Sequence, residues 1–400
     1  MGFIMTFLLW MLAAVAAAAQ TTADPARVEK LLRRAVVIDL HVDTTQLIVE
    51  EDYNLAERHD YGQVDIPRLR QGHVSGVFFA SNPNSRRLAP AESVRRAREE
   101  IDAVRREVAR HPKDLVMSAS ADDIVAAKKA GRVAILLGLE GGHVIDSNLA
   151  LLRSFYEIGA RYMTLTHFTN TPWADSSGEP PVHNGLTAFG REVVREMNRL
   201  GMMVDISHAA DKTFWDALEA SAAPVIASHS SCRVFSNHQR NLSDDMLRAV
   251  AKNSGVVHIN FYNPYLDQAF REKSDAWTKQ RGTQPDSALP PRRRSAEERK
   301  LNAERLAALG RVPLSRLLDH FEHAIKVAGI DHVGIGSDYD GSADQLPEGA
   351  EDISKIPNLV RGLMERGYSD ADIEKVLGGN TLRAMRAVER ARSGAARPGE

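Results

Sequence analysis

Eight short apolar runs, each parted from the next by a segment compatible with a helix or loop, constrain this chain more than any other feature. They are Val36–Leu40, Val74–Ala80, Val133–Leu139, Tyr162–Thr166, Met202–Ile206, Val225–Ala227, Val256–Phe261 and Val333–Gly336. Apolar runs of this length read as strands buried on both faces, the mark of a parallel sheet. Eight of them alternating with helices is the arithmetic of an α/β fold of the (β/α)8 TIM-barrel type, as a single domain. Glu92 to Val108 places Val94, Ile101, Val104 and Val108 at helical spacing, and Leu186 to Leu200 and Leu242 to Ala251 do so more weakly, the latter with Asn241 as cap. A doubly wound sheet lacks support, because no Gly-x-Gly-x-x-Gly turn follows any run.

Two stretches break the rhythm. Glu50 to Gln71 is polar and has too little periodicity to assign. The longer break, Asn263 to Pro313 (263–313), is an insertion after the seventh strand, with Pro290-Pro291-Arg292-Arg293-Arg294 ahead of a helix-compatible segment, Glu297 to Ala308. Loops at this end of a barrel strand can roof an active site. Past the eighth strand, Glu351 to Arg366, Ser369 to Leu377 and Asn380 to Arg392 read as helices that close the barrel.

The 400 residues, 43% of them hydrophobic, suffice for a large core. A formal charge of -2, from 51 basic and 53 acidic residues, gives no reason to expect nucleic acid or an anionic membrane as partner. Residues 1–19 are uncharged and apolar and end in Ala17-Ala18-Ala19, which reads as a secretory signal peptide; the missing basic residue near Met1 leaves an uncleaved anchor as the alternative. With the signal removed, no stable membrane association is expected, and the polar end of the chain carries no hydrophobic lipid-anchor signal. The single cysteine, Cys232, excludes an internal disulfide and lacks a thiolate-stabilising neighbour in sequence.

Metal-capable side chains stand where the apolar runs stop. They are His41 and Asp43, Glu140, His208, His229 and Asp338. Parallel strands in one barrel present their carboxyl ends on one face, so these residues would meet in one pocket. Two imidazoles, a His-x-Asp pair and a further Glu are what a two-metal hydrolase requires. His41 and Asp43, at i and i+2, share a face on an extended strand; the alternative is a turn histidine beside a helix-capping Asp. Glu140 precedes Gly141-Gly142, and its buried carboxylate requires either an Arg partner or metal; a carboxylate can bridge two cations. Neutral imidazole suits zinc, and each ring needs a partner for its other nitrogen, which the sequence does not identify. Asp338 can take a proton from metal-bound water and return it to a leaving amine, with Asp340 as competitor. A calcium loop from Asp338 to Gly349 fails, because Ala343 stands in place of the required Gly and Gly349 in place of Glu.

Taken together, these residues resemble the membrane dipeptidase (renal dipeptidase) family of metal-dependent amidohydrolases. The resemblance covers nearly the whole chain after about Val36. It rests on His41-x-Asp43, Leu139-Glu140-Gly141-Gly142, Leu165-Thr166-His167 with Asn170-Thr171-Pro172-Trp173-Ala174-Asp175, Asp205-x-Ser207-His208, Ser228-His229-Ser230, Asn237-x-x-Arg240-Asn241 and Gly336-x-Asp338-x-Asp340-Gly341. The resemblance implies a binuclear zinc site, two Zn2+ per chain, with His41 and Asp43 on one metal, His208 and His229 on the other and Glu140 bridging. It implies a hydroxide between the zincs as nucleophile, His167 as the residue that contacts substrate and stabilises the oxyanion, Arg240 as the clamp on the substrate carboxylate, and Asp338 as proton shuttle. Arg suits that clamp because its planar fork pairs with a carboxylate through two hydrogen bonds.

The chain departs from animal members in lacking their anchor tail and in having one cysteine, so a homodimer would be free of disulfides. An Arg- and Ala-rich composition of this kind looks bacterial, and the expected location is the periplasm. The expected substrates are dipeptides, L-Xaa-L-Xaa and L-Xaa-D-Xaa. The alternatives are hydrolysis of N-acyl amino acids, lactones or β-lactams on the same fold, and a non-catalytic binding protein that keeps barrel and metal.

Overall fold

The computed structural model describes residues 23–281 and 291–392. The signal-peptide segment, the junction ahead of Pro291 and the end of the chain lie outside the described residues. Nine parallel strands form one sheet: β1 Ile38–Val42, β2 Gly76–Ser81, β3 Leu115–Met117, β4 Val133–Leu139, β5 Ala160–Thr164, β6 Met203–Asp205, β7 Ile226–Ala227, β8 Val256–Ile259 and β9 Val333–Ile335. Eight of them close a barrel. β2 pairs with both β1 and β4, and β9 pairs with β8 and returns to β1 through Asp39 and Ile335. β3, which the pattern of apolar runs does not reveal, lies outside the ring. It pairs with the first half of β4, Leu115 opposite Val133, where β5 has not yet begun.

Alternation along the strands sorts side chains into two cores. Ile38, Leu40, Phe78, Ala134, Leu136, Tyr162, Met203 and Ile226 fill the barrel interior, which Ile124, Leu382, Met385 and Val388 cover from the helices Ala121–Lys129 and Asn380–Ala391. Residues of opposite parity, such as Ile135, Leu137, Met163 and Val204, pack outward against the surrounding helices. The interior is crowded enough to require glycine. A β-carbon on Gly138 would lie 2.0 Å from Cζ of Tyr162, and one on Gly334 would lie 2.4 Å from the His258 ring.

β1 carries one extra residue between Asp39 and Val42, a bulge against β2. Ile38 and Leu40 therefore point into the barrel while Val42 points out, and His41 and Asp43 turn toward the carboxyl-end mouth. His41 thus lies inside its strand, not beyond it.

Helix ends follow local chemistry. Thr187 accepts from the Gly190 amide to start Ala188–Leu200, and Gly201, at φ 78°, ends it. The helix Asp244–Lys252 is capped by Ser243 and not by Asn241, whose amide donates instead to the carbonyls of Ser236 and Tyr265. The insertion forms Asn263–Leu266, Gln268–Arg281 and Pro291–Leu309. Its last helix docks through Arg294 on Glu50 at 3.2 Å and Arg299 on Glu51 at 2.5 Å, with the Arg299 guanidinium over the Tyr61 ring. It walls a cavity of about 650 Å³ outside the barrel mouth.

Candidate metal and active site

The strand ends deliver the metal-capable side chains into a chamber of about 240 Å³, lined by Asp43, Glu140, His167, His208, His229, Arg240 and Asp338 among others. Glu140, one residue past β4, is its centre. Its Oε1 lies 2.9 Å from His208 Nε2, 3.2 Å from His229 Nε2, and 3.6 Å from Nε2 of both His41 and His167. Among the described residues its ion-pair partners are all histidines and none is an Arg, which speaks against the alternative left open for this carboxylate. Burial opposes its charge, but the surrounding histidines, His167 and His41 foremost, outweigh burial and hold the carboxyl well below its ordinary range.

Asp43 occupies the N-cap position of the helix Thr44–Glu51, yet its side chain makes no capping bond. The carboxylate instead accepts from the Asn82 amide and lies 3.7 Å from His41 Nε2. The turn-and-cap alternative is therefore not how this Asp is used. His208 and Asp338 each adopt φ 65°, a left-handed backbone that costs a residue bearing a β-carbon and that is found where structure dictates side-chain aim.

The arrangement fits cations. Asp43, Glu140, Asp338 and Asp340 are four carboxylates lining one chamber, and Arg240, the one guanidinium lining it among the described residues, directs Nη1 to Ser230 Oγ and Nη2 to the His229 carbonyl. Buried like charges of this kind require a counter-charge. His41 Nε2 is buried without a hydrogen-bond partner, and Nε2 atoms of His208 and His229 face each other at 3.0 Å. Three groups of side chains lie close enough to share a cation: His41 with His229 and Asp338, and two that meet at Glu140, His41 with Asp43 and Glu140, and Glu140 with His167 and His208. Glu140 is common to the latter two, and His167 stands as near to it as His41 does.

Burial depresses three of the imidazoles, His167 to about 4 and His208 and His229 well below their usual range, so these rings are neutral and able to ligate; at His41 burial is outweighed by Tyr162 and Glu140, which hold it well above that range. Burial likewise pushes the Asp338 carboxyl well above its usual range, and the neighbouring Asp43 adds to this. Asp338 Oδ2 accepts from Asn260 Nδ2 at 2.9 Å. Asp340 is turned toward Thr44 and the Gln63 amide and lies outside the three metal-competent groups, which include Asp338 with His41 and His229. Arg240 is buried, its Nε lacks a partner, and the guanidinium lies 5.4 Å from the Tyr265 ring centre.

Several contributors were not identified from sequence. Tyr162 Oη sits 2.7 Å from His41 Nδ1, Ser228 Oγ sits 2.7 Å from His229 Nδ1, and Asn82 and Asn260 hold the two aspartates. Tyr162 has the inward parity of its strand, a signal that could have found it; the asparagines carry none.

A family model described as Membrane dipeptidase (Peptidase family M19) matches residues 25–398. An uncharacterized dipeptidase of Schizosaccharomyces pombe is 36% identical over 385 residues, covering 91% of this chain and 83% of the relative. The solved structure of the probable dipeptidase PvdM from Pseudomonas aeruginosa is similar with a TM-score of 0.79 at 26% identity, over 92% of this chain and 98% of that one. A metallo peptidase from Rhodobacter sphaeroides, liganded with a phosphinate mimic of the dipeptide L-Ala-D-Ala, has the same fold, with a TM-score of 0.74 at 23% identity over 88% of this chain and 99% of that one.

Proposed function

The chain belongs to the membrane dipeptidase family, peptidase family M19, and on that premise we propose that it is a zinc-dependent dipeptidase with two metal ions per chain. The observation that carries this reading is the single Glu140 oxygen within 3.6 Å of four imidazole Nε2 atoms, with Asp43 close by and, among the described residues, no Arg or Lys paired to the glutamate. His41 and Asp43 would hold one ion, His208 and His229 the other, and Glu140 would bridge. Such a pair supplies a Lewis acid for the scissile carbonyl and a nucleophile at neutral pH.

The chain's own residues do the rest. Arg240, with Nε unpaired, grips the substrate's free carboxylate, which selects a dipeptide over a longer peptide. Neutral His167 donates a hydrogen bond to the carbonyl oxygen as negative charge develops there. Asp338 takes the proton of the attacking water on its carboxylate and delivers it to the departing amine, with Asn260 fixing Oδ2. Substrates are L-Xaa-L-Xaa and L-Xaa-D-Xaa dipeptides.

Incubation of the zinc-loaded protein with a dipeptide panel that includes D-Ala at the carboxyl position, before and after chelation, tests this. Amine release that chelation abolishes and zinc restores is expected. No release from any dipeptide between pH 6 and 9 would defeat the proposal.

A second reading, hydrolysis of N-acyl amino acids or related amides, is favoured by the outer cavity of about 650 Å³, which has room for a larger acyl group. Faster turnover of N-acyl amino acids than of free dipeptides would promote it. Export to the periplasm is part of the proposal, supported by the apolar first 19 residues; recovery of the mature chain beginning at Met1 would refute removal of a signal peptide.

A further inference from the structure

Asp205 closes β6 and is fully buried. Its Oδ1 accepts the backbone amides of Ser207 at 3.0 Å and Ser228 at 2.9 Å. Its Oδ2 accepts the hydroxyls of Ser228 and Thr164. A serine hydroxyl has one proton, and an ionised carboxylate can only accept. With that proton on Asp205, Ser228 Oγ has only lone pairs to offer His229 Nδ1, 2.7 Å away. His229 must therefore carry its hydrogen on Nδ1, leaving the Nε2 lone pair aimed at Glu140 and at His208. The neighbouring serine completes the frame: Ser207 Oγ accepts from the His229 amide at 3.1 Å and lies 3.2 Å from Ser230 Oγ, to which Arg240 Nη1 donates.

We infer that Asp205 and Ser228 are positioning residues that act as a relay, locking His229 into its metal-ligating tautomer and so setting the affinity for one of the two ions. The inference rests on the two-ion reading above. His41, whose ring stacks on that of His229 at 3.8 Å, has a separate partner for its Nδ1 in Tyr162, so the relay acts on His229 alone. The logic matches that of a buried carboxylate that fixes a catalytic histidine's tautomer, where replacing Asp by Asn keeps the shape and presents the wrong proton. Asp205→Asn would offer an N–H to Ser228, turn the serine proton onto His229 Nδ1, and drive the ring hydrogen to Nε2.

The test is zinc titration of metal-free wild type, Ser228→Ala and Asp205→Asn against a competing chromophoric chelator, with circular dichroism to establish folding. The expected result is two tight equivalents in the wild type. In each variant one equivalent should remain tight and the other weaken about 10–100-fold, with Asp205→Asn at least as impaired as Ser228→Ala. Two equivalents of wild-type affinity in the folded variants would overturn the inference, as would equal weakening of both equivalents, which signifies general loosening. If Asp205→Asn does not fold, Ser228→Ala decides alone. A wild type that takes up fewer than two equivalents would count against the two-ion reading, a result distinct from a wild type that binds both and variants that match it.

Discussion

Arg240 and Asp338 have separate tasks in the proposed reaction, so their losses should separate in the kinetics. Arg240→Ala removes charge-assisted bonds to the substrate carboxylate and should raise KM about 10–100-fold with a smaller effect on kcat. Asp338→Asn keeps the shape and the Asn260 contact but cannot carry the proton; kcat should fall about 100- to 10,000-fold while zinc content stays at the wild-type value. Steady-state kinetics on one dipeptide, with metal analysis of each variant, checks both. Gly138 tests the support beneath His41. An alanine there would drive its β-carbon into Tyr162, so Gly138→Ala should cost about 1–3 kcal/mol by overpacking and disturb the His41 contact. Thermal unfolding and zinc content would register it, and an unchanged protein would contradict the crowding.

Elements around the site are pinned by buried neutral histidine. His320, on the helix Leu314–Ala328, accepts from the Cys232 amide through Nδ1 at 3.0 Å and lies with Nε2 2.9 Å from the Leu266 carbonyl, tying the segment after β7 to the insertion. Burial lowers its pKa to about 4. Below the unfolded value of roughly 6.5, the unfolded chain binds a proton that the folded chain refuses, so stability is present above that pH and drains as pH falls toward 4. The loss is of order 3 kcal/mol. Urea midpoints at pH 7.5 and pH 5 should differ by less in His320→Gln than in the wild type; equal differences would show that His320 does not titrate as described.

At this level the sequence was legible wherever apolar runs were long. All eight barrel strands show as such, shifted by a residue or two at their ends. β3 escaped although Leu115–Met117 is as long as β6 or β9: it pairs on one side only and lies outside the count of eight that a barrel needs. Asn241 is not the cap its position suggests, because the carbonyls of Ser236, five residues before it, and Tyr265 take up its amide and Ser243 caps the helix. Asn82 and Asn260 stayed invisible as site residues because their significance comes from adjacency across strands, which no local spacing encodes; Tyr162 shows its inward parity, but not that His41 is its partner.

Across the whole molecule, closure of the barrel converts scattered positions into one chamber, and the bulge in β1 gives His41 and Asp43 the right face. The last insertion helix extends that chamber outward, held by arginines on Glu50 and Glu51. Among the described residues no helix is long and apolar enough to cross a membrane. The central claim, that Glu140 joins two cations, is tested most directly by anomalous diffraction at the zinc edge from crystals of the zinc-loaded protein. Two peaks are predicted, one bounded by His41, Asp43 and Glu140 and the other by His208, His229 and Glu140. A single peak, or none touching Glu140, would contradict it.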